Sequence, residues 1–161
     1  MDILLRKRNL MVQTHGKKEI EEILNSAMDS LISKHPILLE LDISERALTH
    51  HLANYIREKT HETYDVDVEY NRHFADPKRI NLPCRTAMDS DVRARTAFPD
   101  IIIHKRNKDS DNLLVLEIKK PGEDLDYDKR KLAAFVKELK YMNAAHIVIG
   151  KDTSGNFVRE I

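Results

Sequence analysis

The sequence is poor in cysteine and has no excess charge of either sign. Its single cysteine, Cys84, excludes an internal disulfide and a cysteine-rich zinc site, and it points to a reducing compartment. The 161 residues include 27 Lys and Arg against 27 Asp and Glu, so the formal net charge is zero. A basic surface over the whole molecule is therefore absent, and any nucleic-acid binding has to come from a local cluster of cations.

Long apolar runs are also missing. No stretch approaches the roughly 20 apolar residues that span a bilayer, and the N-terminal "MDILLRKRNLM" lacks the apolar centre of a signal peptide. Hydrophobic residues make up 41% of the chain and charged residues 34%, which is typical of a globular domain with its own core. We therefore expect a cytoplasmic protein that forms one domain over 1–161 and has no membrane partner.

Apolar residues recur at helical spacing in three places. Residues 18–34 carry one apolar stripe, and the His-Pro pair that follows is expected to end this helix because a residue before proline is driven out of the helical region. In "LDISERALTHHLANYIREKT", Asp42 is expected to cap a second helix, with Glu45 completing a capping box. A third amphipathic helix is expected over roughly 126–142.

Five segments are predicted to be strands. "YDVDVEYNR" alternates apolar and acidic residues, and two aliphatic runs flank the polar turn "NKDSDN" within residues 98–122. "AAHIVIG" and "NFVREI" follow the third helix, whereas residues 71–97 show little periodicity. The order α-α-β-β-β-α-β-β predicts an α/β fold with a mixed central β-sheet flanked by helices.

The hairpin within residues 98–122 carries charge where its strands should be apolar. With the turn centred near residue 109, Asp100 is expected opposite position 118 and thus close to Glu117 and Lys119. Glu117 and Lys119 are two residues apart, so in a strand they share a face. A solvated strand end with a simple ion pair is the alternative. The opposite face is expected to carry the packing residues Leu114, Leu116 and Ile118.

The ordered set of these motifs resembles a known family. "FPDIIIH" and "NLLVLEIKK", preceded by the helix with Glu45 and the strand "VEYNR", resemble the PD-(D/E)xK nuclease superfamily with its restriction-endonuclease-like core. The likeness is greatest to small stand-alone bacterial or phage members and covers roughly residues 40–150. The resemblance implies a metal-dependent nuclease that hydrolyses phosphodiester bonds, with DNA as the expected nucleic-acid partner.

The resemblance also implies roles for individual residues. Asp100, Glu117 and the main-chain carbonyl of Ile118 would ligate Mg²⁺, or Mn²⁺ as a substitute, and Glu45 would complete the site. Lys119 would hold or help deprotonate the attacking water and offset charge on the phosphorus. A metal is also expected on physical grounds, since two carboxylates without a cation would repel a phosphodiester.

Several other residues are expected to contact nucleic acid or to support the site. Tyr70, Arg72, Lys120 and Lys131 are candidate nucleic-acid contacts. The resemblance implies that a polar residue near Asp128 and Lys131 often reaches the site, but the sequence favours solvated helix surface for both. His104 is expected to be a hydrogen-bonded strand-end histidine rather than a metal ligand.

Some alternatives stay open on the sequence. Residues 71–97 either rim the cleft, form an insertion or make a dimer contact, and a homodimer is one expectation. The alternative function for the whole chain is that of a catalytically inactive nucleic-acid-binding or assembly module on the same fold.

Overall fold

The computed structural model describes residues 16–70, 72–73, 76–77, 79–82, 93–96, 98–106, 108 and 110–161. Four helices lie in these ranges: α1 (Lys17–Lys34), α2 (Pro36–Glu40), α3 (Glu45–Lys59) and α4 (Asp126–Leu139). The predicted end of the first helix at the His-Pro pair is confirmed, and the proline begins the extra short helix α2. α4 ends earlier than predicted because Lys140 adopts a left-handed conformation with φ of 59°.

Five strands form the main sheet, which confirms the α/β class with a mixed sheet flanked by helices. They are β1 (Asp65–Val68), β6 (Ile101–His104), β7 (Leu114–Lys119), β8 (Asn143–Lys151) and β9 (Phe157–Glu160). Their spatial order is β1-β6-β7-β8-β9, and all neighbours are antiparallel except β7 and β8. α4 connects this parallel pair, as crossover helices usually do.

The segment predicted to lack periodic structure contains four short strands. β2 (Arg72–His73) pairs with β3 (Asp76–Pro77), and β4 (Arg79–Leu82) pairs with β5 (Arg93–Thr96). The sequence analysis therefore missed these strands in the described part of 71–97. β4 packs against α4, where Ile80 is fully buried.

The two faces of the sheet carry separate apolar clusters. α1 and α3 cover one face, which presents the hairpin residues Ile101, Ile103, Leu114, Leu116 and Ile118. α4 and β4 cover the opposite face, where Ile102 and Val115 pack against Leu132 and Phe135. The predicted alternation along β7 is confirmed, so Glu117 and Lys119 lie on the α4 face.

The start of α3 differs from the prediction. Ser44 is the N-cap, and its hydroxyl accepts a hydrogen bond from Ala47 N at 3.2 Å. Asp42 has a positive φ of 50° and lies outside the helix, which makes Glu45 the first helical residue. The predicted capping box is therefore wrong, and Glu45 is free to point elsewhere. Among the described helices, none is both long and apolar enough to cross a bilayer.

Candidate active site

The hairpin brings Asp100 to β7, as predicted. Asp100 precedes β6, and its Oδ2 accepts a hydrogen bond from Ile118 N at 2.7 Å. The register differs by one residue from the prediction: Ile101 lies opposite Leu116, so the pairing is symmetric about a point between positions 108 and 109. Burial raises the pKa of Asp100, while the Ile118 amide and nearby lysines act in the opposite direction.

Glu117 is a buried carboxylate in the same cluster. It is 2% exposed on the α4 face, and Lys131 Nζ lies 2.8 Å from its Oε1. This contact is an ion pair, not a well-aligned hydrogen bond. Burial raises the pKa of Glu117 to about 8, because the positive charge of Lys131 only partly offsets desolvation and the negative charge of Asp100 adds to it.

Lys119 lies among three carboxylates from different elements. Its Nζ is 3.2 Å from Glu45 Oε1, 3.4 Å from Asp128 Oδ2 and 3.6 Å from Glu123 Oε2. Burial disfavours the ammonium, but the nearby carboxylates, Asp128 and Glu45 first, outweigh it and raise the pKa of Lys119 above its usual range. The side chain is therefore a fixed cation at neutral pH and is a poor candidate for a base.

The first turns of α4 place Asp128 and Lys131 inside this cluster. Asp128 is 5% exposed, and the side chain of Lys131 is 13% exposed. Lys131 also donates a hydrogen bond to the main-chain oxygen of Phe98 at 2.7 Å, just before Asp100. The prediction of solvated helix surface is therefore wrong for both residues, because α4 begins directly over the end of β7.

Glu45 reaches the cluster from α3. Its carboxylate accepts a hydrogen bond from Lys119 Nζ, which gives this partly buried glutamate a cationic partner. Burial raises the pKa of Glu45, and the charge of Lys119 opposes this shift. The structure thus places Glu45 beside the predicted lysine, and its role as a metal ligand remains a prediction.

The cluster contains more acids than bases. Its charged members are Asp100, Glu117, Glu45, Asp128, Glu123, Lys119 and Lys131, which is five carboxyl groups and two ammonium groups. Such an excess of negative charge around a buried site favours either proton uptake or the binding of a cation. The raised pKa values of Asp100 and Glu117 correspond to proton uptake.

The donor chemistry suits a magnesium ion that keeps water ligands. Within the part of the chain that the structure describes, no group of three or more His, Cys, Asp and Glu side chains is arranged to hold a metal. The ligands available to a metal from the side chains of the cluster's centre are the two carboxylates of Asp100 and Glu117. The N–H and C=O of a strand residue point to the same side, so the carbonyl of Ile118 also faces Asp100. Mg²⁺ is typically bound by one or two carboxylates together with waters and substrate phosphate, and this set fits that pattern.

Two other nucleic-acid candidates, Lys120 and Tyr70, have different described contacts. Lys120 Nζ pairs with Asp42 Oδ1 at 2.8 Å near the start of α3, and the ring of Tyr70 lies 4.9 Å from that of His104. The side chain of Arg72 lies outside the described residues. The structure brings Lys131 into the carboxylate cluster, whereas Lys120 forms its ion pair with Asp42.

His104 belongs to a second polar group on the same face of the sheet. Its Nε2 lies 2.8 Å from Asp67 Oδ2, which confirms the predicted hydrogen-bonded histidine. Arg106 also donates to Asp67. Burial of Asp67 would raise its pKa, but the hydrogen bonds from His104 and Arg106 dominate and lower it to about 2.

The sequence interpretation missed His146. In the parallel pair of β7 and β8, His146 lies opposite Glu117, so the two side chains point to the same face. Its Nε2 is buried without a hydrogen-bond partner among the described residues, and burial lowers the pKa of the imidazole. A polar residue in the strand after the third helix was the available signal, but the β7–β8 register is needed to place it.

Comparison of the chain with protein-family models, with curated proteins and with solved structures gives no match.

Proposed function

We propose that this protein is a metal-dependent nuclease that hydrolyses phosphodiester bonds in DNA. The observation that carries the proposal is the buried Glu117 carboxylate beside Asp100, in a cluster with three more acids than bases. Leaving a carboxylate 2% exposed on a sheet costs free energy unless a cation or proton accompanies it. Groups with strongly raised pKa values in a cluster of this kind are characteristic of functional sites.

The chain's own residues divide into ligands and charge partners. Asp100, Glu117 and the Ile118 carbonyl would hold Mg²⁺ or Mn²⁺. When bound there, the metal would polarise the phosphate and lower the pKa of a bound water. Lys119, held protonated by Glu45, Asp128 and Glu123, would offset negative charge that develops on the phosphate. Its raised pKa favours this role over deprotonation of the water.

Lys131 has a distinct part in this proposal. Its ammonium lies 2.8 Å from Glu117 Oε1, and its second contact to the Phe98 carbonyl keeps it near Asp100. Upon metal binding, the ammonium would give up part of its contact with Glu117 and become available to a phosphate oxygen. Lys131 is therefore the described residue through which the predicted nucleic-acid contact would reach the site.

A second candidate function keeps the fold without the chemistry. Lys131 already gives Glu117 a cation at 2.8 Å, and the described residues contain no group of three metal-ligating side chains. Both observations favour an inactive nucleic-acid-binding or assembly module in which the cluster only stabilises the packing of α4 against β7. Such a module would bind DNA but would bind no divalent cation at Asp100 and Glu117.

The two candidates are separated by measuring Mn²⁺ binding and DNA nicking on the same variants. We expect the wild type to bind Mn²⁺ in calorimetric titration and to nick supercoiled DNA in Mg²⁺ or Mn²⁺. Glu117→Gln should lose Mn²⁺ binding and nicking, whereas Lys119→Ala should retain Mn²⁺ binding and nick about 10²–10³-fold more slowly. Glu62→Gln makes the same chemical change at an exposed position outside the cluster and should match the wild type.

Two results would count against nuclease activity. A wild type that binds no Mn²⁺ would favour the inactive module. Nicking by Glu117→Gln and Lys119→Ala at the wild-type rate would show that the activity arises elsewhere or from a contaminant.

A further inference from the structure

Two buried polar atoms in the main sheet have no hydrogen-bond partner. Within the part of the chain that the structure describes, Glu117 Oε1 and His146 Nε2 are the only buried side-chain nitrogen or oxygen atoms of this kind. Glu117 Oε1 has its ion pair with Lys131, but this contact is not a well-aligned hydrogen bond. Buried polar atoms in folded proteins are nearly always paired, so two exceptions in one place need an explanation.

The two atoms belong to side chains at paired positions. In the parallel pair of β7 and β8, Glu117 lies opposite His146, and both side chains point to the α4 face. Neighbouring strands are about 4.8 Å apart, so such side chains can reach one another. Burial lowers the pKa of His146, and the charges of Asp128 and Lys129 act on it in opposite directions. The imidazole therefore faces the first turn of α4, which carries both charges.

Asp100, Glu117 and His146 form a row across three adjacent strands. The order of these strands in the sheet is β6, β7, β8. Asp100 immediately precedes β6 and accepts from Ile118 N, so it lies on the β6 side of Glu117, whereas His146 lies on the β8 side. A cation held by Asp100 and Glu117 would thus have the Glu117 carboxylate between itself and the imidazole. This order agrees with the lack of a group of three metal-ligating side chains among the described residues.

We propose that His146 is a positioning residue for Glu117, to which its Nε2 donates a hydrogen bond when Glu117 holds a divalent cation. The inference rests on the proposed metal-dependent function. A carboxylate that ligates a metal is usually hydrogen-bonded by a neighbour, which fixes its orientation. A neutral imidazole has one N–H to donate, and at Nε2 this N–H would serve the carboxylate oxygen that the metal leaves free.

His146 would also complement Lys131 in this arrangement. Lys131 Nζ contacts both Glu117 and the Phe98 carbonyl. If the ammonium turns towards a phosphate oxygen, as the proposed function requires, Glu117 loses part of this contact. A hydrogen bond from His146 would then hold the carboxylate in place from the opposite side.

The alternative is that His146 only fills space between β8 and α4. An apolar side chain of similar size would then serve equally well, and metal affinity would not depend on the imidazole. The two roles therefore differ in the divalent-cation affinity of variants that keep the fold.

The test is calorimetric titration of the full chain with Mn²⁺. His146→Leu removes both ring nitrogens and should weaken Mn²⁺ binding by about 10–100-fold, which is the usual effect of losing a partner of a metal ligand. His146→Gln keeps an N–H donor near the end of the side chain and should recover most of the affinity. His61→Leu makes the same change at an exposed histidine beyond the end of α3 and should bind Mn²⁺ like the wild type.

Thermal unfolding in EDTA separates positioning from folding. His146→Leu should unfold at a temperature no lower than the wild type, because it replaces a buried nitrogen without a partner by an apolar group. Added Mn²⁺ should then raise the unfolding temperature of the wild type and of His146→Gln more than that of His146→Leu.

Three outcomes would overturn the proposal. Equal Mn²⁺ affinity of the wild type and His146→Leu would remove the role of His146 and leave the proposed metal-dependent function standing. A wild type that binds no Mn²⁺ would overturn both. A His146→Leu variant that is clearly destabilised in EDTA, together with a His146→Gln variant that fails to recover Mn²⁺ affinity, would make His146 a structural residue.

Discussion

At the scale of single residues, burial decides the charge state of the two carboxylates that matter most. Glu117 and Asp100 have raised pKa values because they are desolvated near one another, whereas Asp67 has a lowered pKa because two donors hold its anion. Acids with such different environments respond to pH in opposite directions. Stability measurements on single variants can therefore distinguish them.

Glu117 should make the protein less stable as pH rises. Its folded-state pKa of about 8 lies above the ordinary value of 4.5, so the folded state holds a proton more tightly than the unfolded chain. This contribution is complete below pH 4.5 and is lost as pH rises towards 8. Glu117→Gln cannot lose a proton, so we expect it to gain roughly 3 kcal/mol in unfolding free energy relative to wild type between pH 5 and pH 8. Urea unfolding at several pH values measures this difference. Unfolding free energies of wild type and Glu117→Gln that change in parallel with pH would contradict the raised pKa of Glu117.

Asp67 should have the opposite effect at acid pH. Its folded-state pKa of about 2 lies below the ordinary 3.8, so its contribution is present above pH 3.8 and is lost as pH falls towards 2. Asp67→Asn should cost about 1–3 kcal/mol at pH 6, because the charged hydrogen bonds with His104 and Arg106 weaken. Near pH 2, urea unfolding should show a smaller loss of unfolding free energy in Asp67→Asn. Asp124→Asn, at an exposed position outside this group, is the control.

At the scale of elements, α4 links the core to the candidate active site. Its buried face packs Leu132 and Phe135 against Ile102 and Val115, and its first turns carry Asp128 and Lys131 to the end of β7. The position of these two charges therefore depends on apolar packing one or two turns further along the helix. A loss of this packing should therefore displace Asp128 and Lys131 at the start of α4.

Phe135→Ala should destabilise both the fold and the site. Phe135 is fully buried, so its truncation should lower the unfolding free energy by about 3–5 kcal/mol. We expect weaker Mn²⁺ binding as well, measured under conditions where the variant remains folded, because Lys131 and Asp128 lose their fixed positions. Val136→Ala removes a 39% exposed side chain from the next position and should cost much less. Equal effects of the two variants on stability would contradict the packing described for α4.

At the scale of the whole molecule, the absence of net charge limits how the proposed nuclease could bind DNA. With 27 basic and 27 acidic residues, long-range attraction is weak, and in the proposed nuclease a few lysines near the site would have to provide the phosphate contacts. Many of the described lysines are engaged in ion pairs; Lys120, for example, contacts Asp42. Binding should therefore be weak and should depend on a small number of cations.

The DNA affinity of Lys120→Ala tests whether binding depends on a small number of cations. If Lys120 exchanges Asp42 for a phosphate, the variant should weaken binding evenly across sequences and lower the slope of log affinity against log salt by about 1. Fluorescence anisotropy with labelled duplex DNA at several salt concentrations gives this slope. Lys151→Ala, exposed at the far end of β8, should not change it. An unchanged slope in Lys120→Ala would remove this lysine from the DNA contact.

The sequence by itself determined the features that depend on local spacing. The two-residue alternation along β7 placed Glu117 and Lys119 on one face, and the short loop returned Asp100 to the amide of Ile118. The proline at position 36 ended α1. These features follow from backbone periodicity and from short connections, which restrict geometry without reference to the rest of the chain.

Only the tertiary structure decided which charges meet. Lys119 contacts Glu45, 74 residues away, and Lys131 Nζ lies 2.8 Å from Glu117 Oε1, although the sequence favoured solvated surface for Lys131. His146 faces Glu117 because β7 and β8 pair in one particular parallel register. An amphipathic pattern fixes the face that a helix buries, but the rotation and translation of that helix against the sheet come from core packing. Partners distant in sequence, and the pKa values that they set, therefore follow from the packed structure.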